Sequence, residues 1–235
     1  MTYQLYSTHS PNVYKVAMML EELGASWQPT YLAVTAGAQF TPEFRSLSPN
    51  AKVPVLVDHA PEDAGEPLAV WESGAILLYL AERHGRFLPQ APRARATVLQ
   101  WLFWQMAGLG PMSGQQAHFR QFDGLIPAGN DYAAARFARE TGRLLAVLDR
   151  QLERAPFIAG ADYSVADMAC YPWVRILRIL GFEWASYPAL SAWARAVDAR
   201  PATAAAYARI DALPRSTATP EERYRIMCTD RPDVA

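Results

Sequence analysis

The change of pattern at two prolines constrains this chain most. Before Pro89 and Pro92 the apolar residues switch repeatedly between strand and helix spacing; after them every strand signal disappears. Residues Tyr3 to Ser7 alternate and carry aromatic side chains, which predicts a strand. Thr8-His9-Ser10-Pro11-Asn12 forms a polar turn. From Val13, residues Val16, Met19, Leu20 and Leu23 recur at helical spacing until Gly24, which suits the position just past a helix end. Trp27 to Val34 predicts a second strand, Val53 to Val57 a third and Pro67 to Trp71 a fourth, with turn chemistry at Asp63-Ala64-Gly65-Glu66. Glu72-Ser73 opens a helix through Ile76, Leu77 and Leu80 to Gly85, while Thr35 to Ser48 reads as an irregular excursion punctuated by Gly37 and Pro42. The order strand–helix–strand, then strand–strand–helix, builds a small mixed sheet covered by helices. Beyond Pro92 the stretches 93–119, 131–153, 164–180 and 187–199 read as helices. The expected organisation is an α/β domain over 1–86, an all-α domain over 93–210 and a polar, proline-bearing extension over 211–235.

At 235 residues the chain has room for two such cores. A formal net charge of −1 makes no case for nucleic acid or an anionic membrane surface as partner. No apolar run approaches the roughly 20 residues that span a bilayer, and Met1 to Leu5 lacks the basic-then-apolar order of a secretory signal. The only cysteines, Cys170 and Cys228, are too few for a secreted disulfide framework. A cytoplasmic protein without a metal is therefore expected.

A polar turn feeding a helix N-terminus is an anion site by construction. Several backbone N–H groups lack partners there, and the helix dipole adds roughly half a positive charge. Thr8, Ser10 and the Asn12 amide add side-chain donors at the same place. A thiol with an ordinary pKa of about 8.5 is favoured as thiolate by such donors. Ser10 and Asn12 are equally suited to plain helix capping, so the turn alone reads either way. His9 reads more readily as a solvated side chain than as a base, and Tyr6, inside a strand, as a packing residue. No cysteine stands at the turn, so a thiol acting there has to arrive with a ligand.

Two further segments bear on this turn. Ser48-Pro49-Asn50-Ala51-Lys52-Val53-Pro54-Val55-Leu56 resembles the loop-and-strand motif of glutathione transferases, and Glu72-Ser73-Gly74-Ala75-Ile76 resembles their second binding turn. Taken alone, Pro54 could open an edge strand and the Glu-Ser pair could be a cap. Ser164-Val165-Ala166-Asp167 fits a variant capping box, with Tyr163 and Met168 as its hydrophobic staple. The family carries such a box in the central helix of its second domain, which makes Asp167 structural rather than an acid catalyst. Within the family, Gly37 to Phe44, Asp58-His59, Gly65-Glu66-Pro67-Leu68, Gln100 to Gln105 and Gly108-Leu109-Gly110-Pro111-Met112 resemble the Nu class. Bacterial members of that class act as glutathione-dependent disulfide-bond oxidoreductases.

The resemblance implies a thioredoxin-like N-terminal domain, an all-helical C-terminal domain and a cis bond before Pro54. By matching position, Thr8, Ser10 and Asn12 would surround the glutathione sulfur. Gln39, Lys52, Val53, Pro54, Glu72 and Ser73 would bind the rest of glutathione, and Arg136 would reach it from the helical domain. Val53 would pair its main chain with the cysteinyl unit; Ser73 and its helix N-terminus would take the γ-glutamyl carboxylate, and Glu72 the ammonium. The class often has threonine where Ser10 stands, so both Thr8 and Ser10 stay candidates for facing the sulfur. Thioredoxin-like oxidoreductases usually place Cys-x-x-Cys at this turn, and its absence here implies that glutathione supplies the thiol. The implied activity is thiol–disulfide exchange on a small disulfide. Transfer to electrophiles or reduction of hydroperoxides would use the same thiolate, and the fold also hosts non-catalytic glutathione-binding regulators. A homodimer is implied as well. The stripe of Trp101, Phe103, Trp104 and Met106 reads as core or subunit interface before it reads as a co-substrate wall.

Overall fold

The computed structural model describes residues 2–126 and 129–230. The N-terminal elements run β1 (Tyr3–Ser7), α1 (Pro11–Leu23), β2 (Trp27–Tyr31), α2 (Pro42–Leu47), β3 (Val55–Asp58), β4 (Leu68–Trp71) and α3 (Ser73–His84). The strands form one mixed sheet in the order β2-β1-β3-β4. β1 lies parallel to β2 and antiparallel to β3, and β4 runs antiparallel to β3. The unbroken apolar run Val55-Leu56-Val57 is buried on both faces, as its central place in the sheet requires. α1 buries Val13, Val16, Ala17 and Leu20, and Gly24 closes it at φ +63, where only glycine is free of strain.

The excursion between β2 and β3 is more regular than its prolines suggest. Thr41 caps α2 by accepting the Phe44 N–H at 3.3 Å, and Pro42 sits at the first helical position, where its missing N–H costs nothing. Phe44 then turns inward onto Leu32 and Val55.

The later elements are α4 (Pro92–Trp104), α5 (Gly110–Gln121), α6 (Asp131–Leu152), α7 (Val165–Arg175), α8 (Pro188–Asp198), α9 (Pro201–Asp211) and the short α10 (Pro220–Tyr224). The stretch 93–119, expected as one helix, is divided by a π-type turn over Gln105–Leu109. There the Gly110 N–H reaches back five residues to the Gln105 carbonyl. Pro111 has no N–H with which to continue the four-residue ladder, and the wider turn absorbs the fault. A Cβ on Gly110 would lie 2.7 Å from Gln105 Nε2 and 3.3 Å from the Gln105 carbonyl oxygen, so a larger residue there has to displace the Gln105 amide. α7 begins at the expected capping box: Ser164 Oγ accepts the Ala166 N–H at 3.3 Å, and Asp167 accepts the Ser164 N–H at 3.0 Å. No helix among the described residues is long and apolar enough to cross a membrane.

Contacts divide the chain into two units. One holds the residues up to Leu80 together with those from Ala204 onward; the other is Ala81–Thr203. The junctions fall inside α3 and α9. In the first unit Tyr207 stacks on Tyr14 with ring centres 4.1 Å apart, and the Tyr14 hydroxyl donates to Asp211 Oδ1 at 2.5 Å. That acidic partner and burial push the Tyr14 phenol far above its ordinary value, burial being the larger cause. Arg209 pairs with Glu21 at 3.2 Å and donates to the Trp27 carbonyl at 3.0 Å. Farther on, the Ser216 and Thr35 hydroxyls meet at 2.7 Å, and a turn over Arg225–Thr229 packs against Val34–Ala36. Of the expected extension, residues 231–235 lie outside the described residues.

Candidate functional site

Sheet register brings three distant segments to one end of the first unit. Tyr6 pairs with Val55, and Val55 pairs with Trp71. Carried a residue or two further, the antiparallel pairing sets the turn after β1 beside Val53–Pro54 entering β3, and beside Glu72–Ser73 leaving β4. The crevice outside the carboxyl ends of strands is the usual place for a ligand in an α/β sheet.

At the first turn Ser10 is the helix N-cap, with φ −135° and ψ 137°. Its Oγ accepts the Asn12 N–H at 3.4 Å, and its carbonyl receives the N–H groups of Val13 and Tyr14 at 2.9 and 3.2 Å. The Ser10 N–H turns back to the Thr8 carbonyl at 2.9 Å. Ser10 is thus a capping residue, whereas Asn12, at the second helical position, is not. The Ser10 oxygen accepts, which leaves its own proton to donate. Thr8, His9, Ser10 and Asn12 are all half-buried, and His9 Nε2 has no hydrogen-bond partner among the described residues.

The Val53–Pro54 peptide is cis. Pro54 is buried, and Val53 packs on the cluster of Leu32, Phe44 and Val55. Lys52 is exposed, and its carbonyl accepts from Ser48 Oγ at 3.3 Å. Gln39, in the short helical turn Ala38–Phe40, is only 7% exposed, yet its Oε1 has no donor among the described residues. Leaving a buried carbonyl oxygen unpaired costs about 1–3 kcal/mol, which a ligand N–H would recover.

Glu72 holds φ at +70°, a left-handed conformation that costs a residue with a Cβ on the order of 1–3 kcal/mol. Its carbonyl accepts the Ile76 N–H at 2.9 Å, and its carboxylate accepts from Asn50 Nδ2 at 3.3 Å, which ties the second segment to the third. Ser73 begins α3, buried, and its Oγ accepts from Lys15 Nζ at 3.3 Å. Lys15 is itself 1% exposed, and sequence reasoning missed it because lysine in a helix reads as outward-facing. The signal was its spacing: Met18 and Met19, three and four residues on, are buried on the same stripe.

Arg136 stands exposed on α6 in the other unit, outside the set that the register gathers. Its charge helps Arg143, the principal partner, hold the Glu140 carboxyl below its usual range. Trp101 and Trp104 meet edge to face at 5.3 Å, whereas Phe103 is 61% exposed. Among the described residues no group of three or more histidine, cysteine or acidic side chains stands where it could hold a metal ion. The gathered segments therefore offer hydroxyl donors, a positive helix end and a carboxylate, but no protein thiol.

Comparison with known proteins bears on this arrangement. Models of the glutathione S-transferase N-terminal and C-terminal domains match residues 1–82 and 111–201. The chain is 47% identical over 199 residues to the disulfide-bond oxidoreductase YfcG of Escherichia coli, covering 85% of this chain and 91% of that one. A glutathione transferase family member from Pseudomonas fluorescens, solved with two glutathione bound, superposes with a TM-score of 0.81 at 38% identity, over 87% of this chain and 92% of that one. A glutathione transferase from Pseudomonas putida, solved with one glutathione disulfide bound per subunit, gives a TM-score of 0.80 at 37% identity, over 87% and 90%.

Proposed function

We propose, from the premise that the chain belongs to the glutathione S-transferase family, that it is a glutathione-dependent thiol–disulfide oxidoreductase whose working thiol is that of bound glutathione. The carrying observation is a helix N-terminus with hydroxyl donors at the sheet end and no cysteine among the gathered segments. Similarity to an E. coli disulfide-bond oxidoreductase supports the reaction type, and the related structures that hold glutathione or its disulfide support the ligand.

In this reading Ser10, with Thr8 and Asn12 beside it, holds the sulfur as thiolate at the start of α1. The Val53 main chain, just before Pro54, pairs with the cysteinyl unit. Ser73 and the α3 N-terminus take the γ-glutamyl carboxylate, with the Lys15 ammonium behind them, and Glu72 takes the ammonium of the same unit. Gln39 and Lys52 bind the remaining polar groups. One glutathione thiolate attacks a sulfur of the substrate disulfide; that S–S bond breaks and the second sulfur leaves, taking a proton from solvent. A second glutathione thiolate attacks the glutathione sulfur of the mixed disulfide, giving glutathione disulfide and the second substrate thiol. Two electrons pass from two glutathiones to one disulfide.

We place the protein in the reducing cytoplasm, as a homodimer. Cys170 and Cys228 are not joined in a disulfide, in keeping with that compartment. Leu68 and Trp71 on the edge strand β4, and Phe103 on α4, are exposed apolar side chains of the kind a partner copy covers. The test is a Cys170→Ala, Cys228→Ser double variant, which removes the buried thiol of α7 and the exposed one of the C-terminal turn. It is expected to keep glutathione-dependent reduction of a small disulfide. Loss of that activity in a correctly folded variant overturns the borrowed thiol. Faster turnover of an aryl halide or a hydroperoxide than of a disulfide would make the protein a transferase or peroxidase instead, and binding without any turnover a regulator.

A further inference from the structure

The helical unit holds a cavity of its own, about 330 Å³, between α7, α8 and the single helical turn Trp184–Ser186. Tyr171, Trp184 and Ala194 supply its apolar surface; Arg175, Ser191, Arg195 and Asp198 supply its polar groups. Every one of these residues belongs to Ala81–Thr203, and none is among the residues assigned to glutathione.

The polar groups are one-sided. Asp198 Oδ1 already accepts the Tyr171 hydroxyl at 2.5 Å and faces Arg175 Nε at 3.7 Å. The carboxylate is therefore engaged, and its charge is offset by one guanidinium. Arg195 donates one N–H to Ser191 Oγ at 2.8 Å and has no carboxylate within ion-pair reach among the described residues. The Ser191 oxygen accepts that bond, so its own proton is left to point elsewhere. Two guanidiniums against one carboxylate leave the cavity with a net positive charge and donors in excess of acceptors. Its size sits at the lower end of small-molecule sites, which run from roughly 300 to 1,000 Å³, too small for a dinucleotide and ample for one or two fused rings.

We propose that this cavity binds a small aromatic carboxylate, with its rings against Trp184 and Tyr171 and its carboxylate on Arg195. Apolar walls with one convergent cation are what such a ligand requires: the rings leave water, and a charge-assisted hydrogen bond fixes the orientation. The site is independent of the glutathione reading, and its test is built to show that.

Calorimetric titration of the full chain with naphthylacetate is expected to show one saturable site per chain. Arg195→Met weakens it by about tenfold or more, the worth of a lost guanidinium–carboxylate contact. Trp184→Ala weakens it too, and the neutral naphthylmethanol binds the unaltered protein more weakly than the acid by a similar factor. Arg195 is exposed, so the variant keeps the unfolding temperature of the parent and its glutathione-dependent disulfide reduction. Saturating glutathione leaves the naphthylacetate affinity unchanged. The proposal is overturned by the absence of saturable binding, by equal affinity in Arg195→Met, or by displacement with glutathione, which would move the acid to the sheet-end site.

Discussion

Ser10 and Ser164 each open a helix, and their surroundings differ in nearly every other respect. At Ser164 the fourth residue of the motif is Asp167, fully buried, whose two oxygens accept from the Ser164 N–H and hydroxyl, the Ile158 N–H and the Trp193 indole N–H at 2.9–3.1 Å. Burial alone pushes the Asp167 carboxyl up, and those four donors pull it back. At Ser10 the corresponding position is Val13, which cannot reach back to the cap. The Ser10 hydroxyl makes one long contact, at 3.4 Å, and the residues around it are half open to solvent. One cap has no proton donor left to offer; the other keeps a hydroxyl proton beside a positive helix end. Capping and function are thus not alternatives at a given serine. What separates the two is whether the cap's own groups are already taken.

The largest effect is expected where the cap is closed. Asp167→Ala leaves three N–H groups without their acceptor and should cost roughly 3 kcal/mol in urea unfolding. Disulfide reduction per folded molecule should not change, and a collapse in that quantity would break the contrast. Ser10→Ala should cost only about 1 kcal/mol of stability, yet slow glutathione-dependent reduction by roughly a hundredfold, the loss of a donor to developing or bound negative charge. If Thr8→Ala proves the slower of the two in steady-state assays, the sulfur belongs to Thr8. Glu72→Gly relieves the left-handed backbone and should stabilise by about 1 kcal/mol while raising the KM for glutathione by about tenfold; improved binding would deny that the strain serves the site. Lys15→Met should weaken glutathione severalfold by calorimetry with kcat unaltered. The smallest effect concerns acid. Burial lowers the His118 pKa on α5, so the unfolded chain takes a proton more readily than the folded one. Stability should therefore fall slightly as pH drops through about 6.5, and His118→Gln should flatten that slope in thermal unfolding.

Much of this was readable in the residues because it rests on period and local chemistry. β1, α1, β3 and α3 follow from alternation, helical spacing and Gly24, and the Ser164 box from four consecutive residues. Pro42 obscures α2 because a proline reads as a breaker, although Thr41 before it and Glu43 after it mark a helix start. The π turn at Gln105–Leu109 escapes a count of helical spacing because the chain is helical on both sides of it: the extra residue rotates the apolar stripe by about 100°, which a short window on either side does not register. Lys15 was hidden by its charge. The docking of residues after Ala204 was hidden for a related reason: Tyr207, Arg209 and Asp211 hold on through a ring stack, an ion pair and a hydrogen bond, which a count of apolar residues does not register. The gathering of Thr8, Val53 and Glu72 depends on strand register, and one sequence carries no pairing information beyond what resemblance lends it.

That return of the chain to its first unit sets an order of assembly. β1 through α3 are made more than a hundred residues before Tyr207 and Asp211. Until then Tyr14 has neither its stacking ring nor its acceptor, and the helix that carries Ser10 waits with one flank bare. A nascent chain that stalls, or is clipped, ahead of Ala204 can pair its strands without completing the wall behind that helix. The wall behind the first helix is thus supplied by residues made long after it.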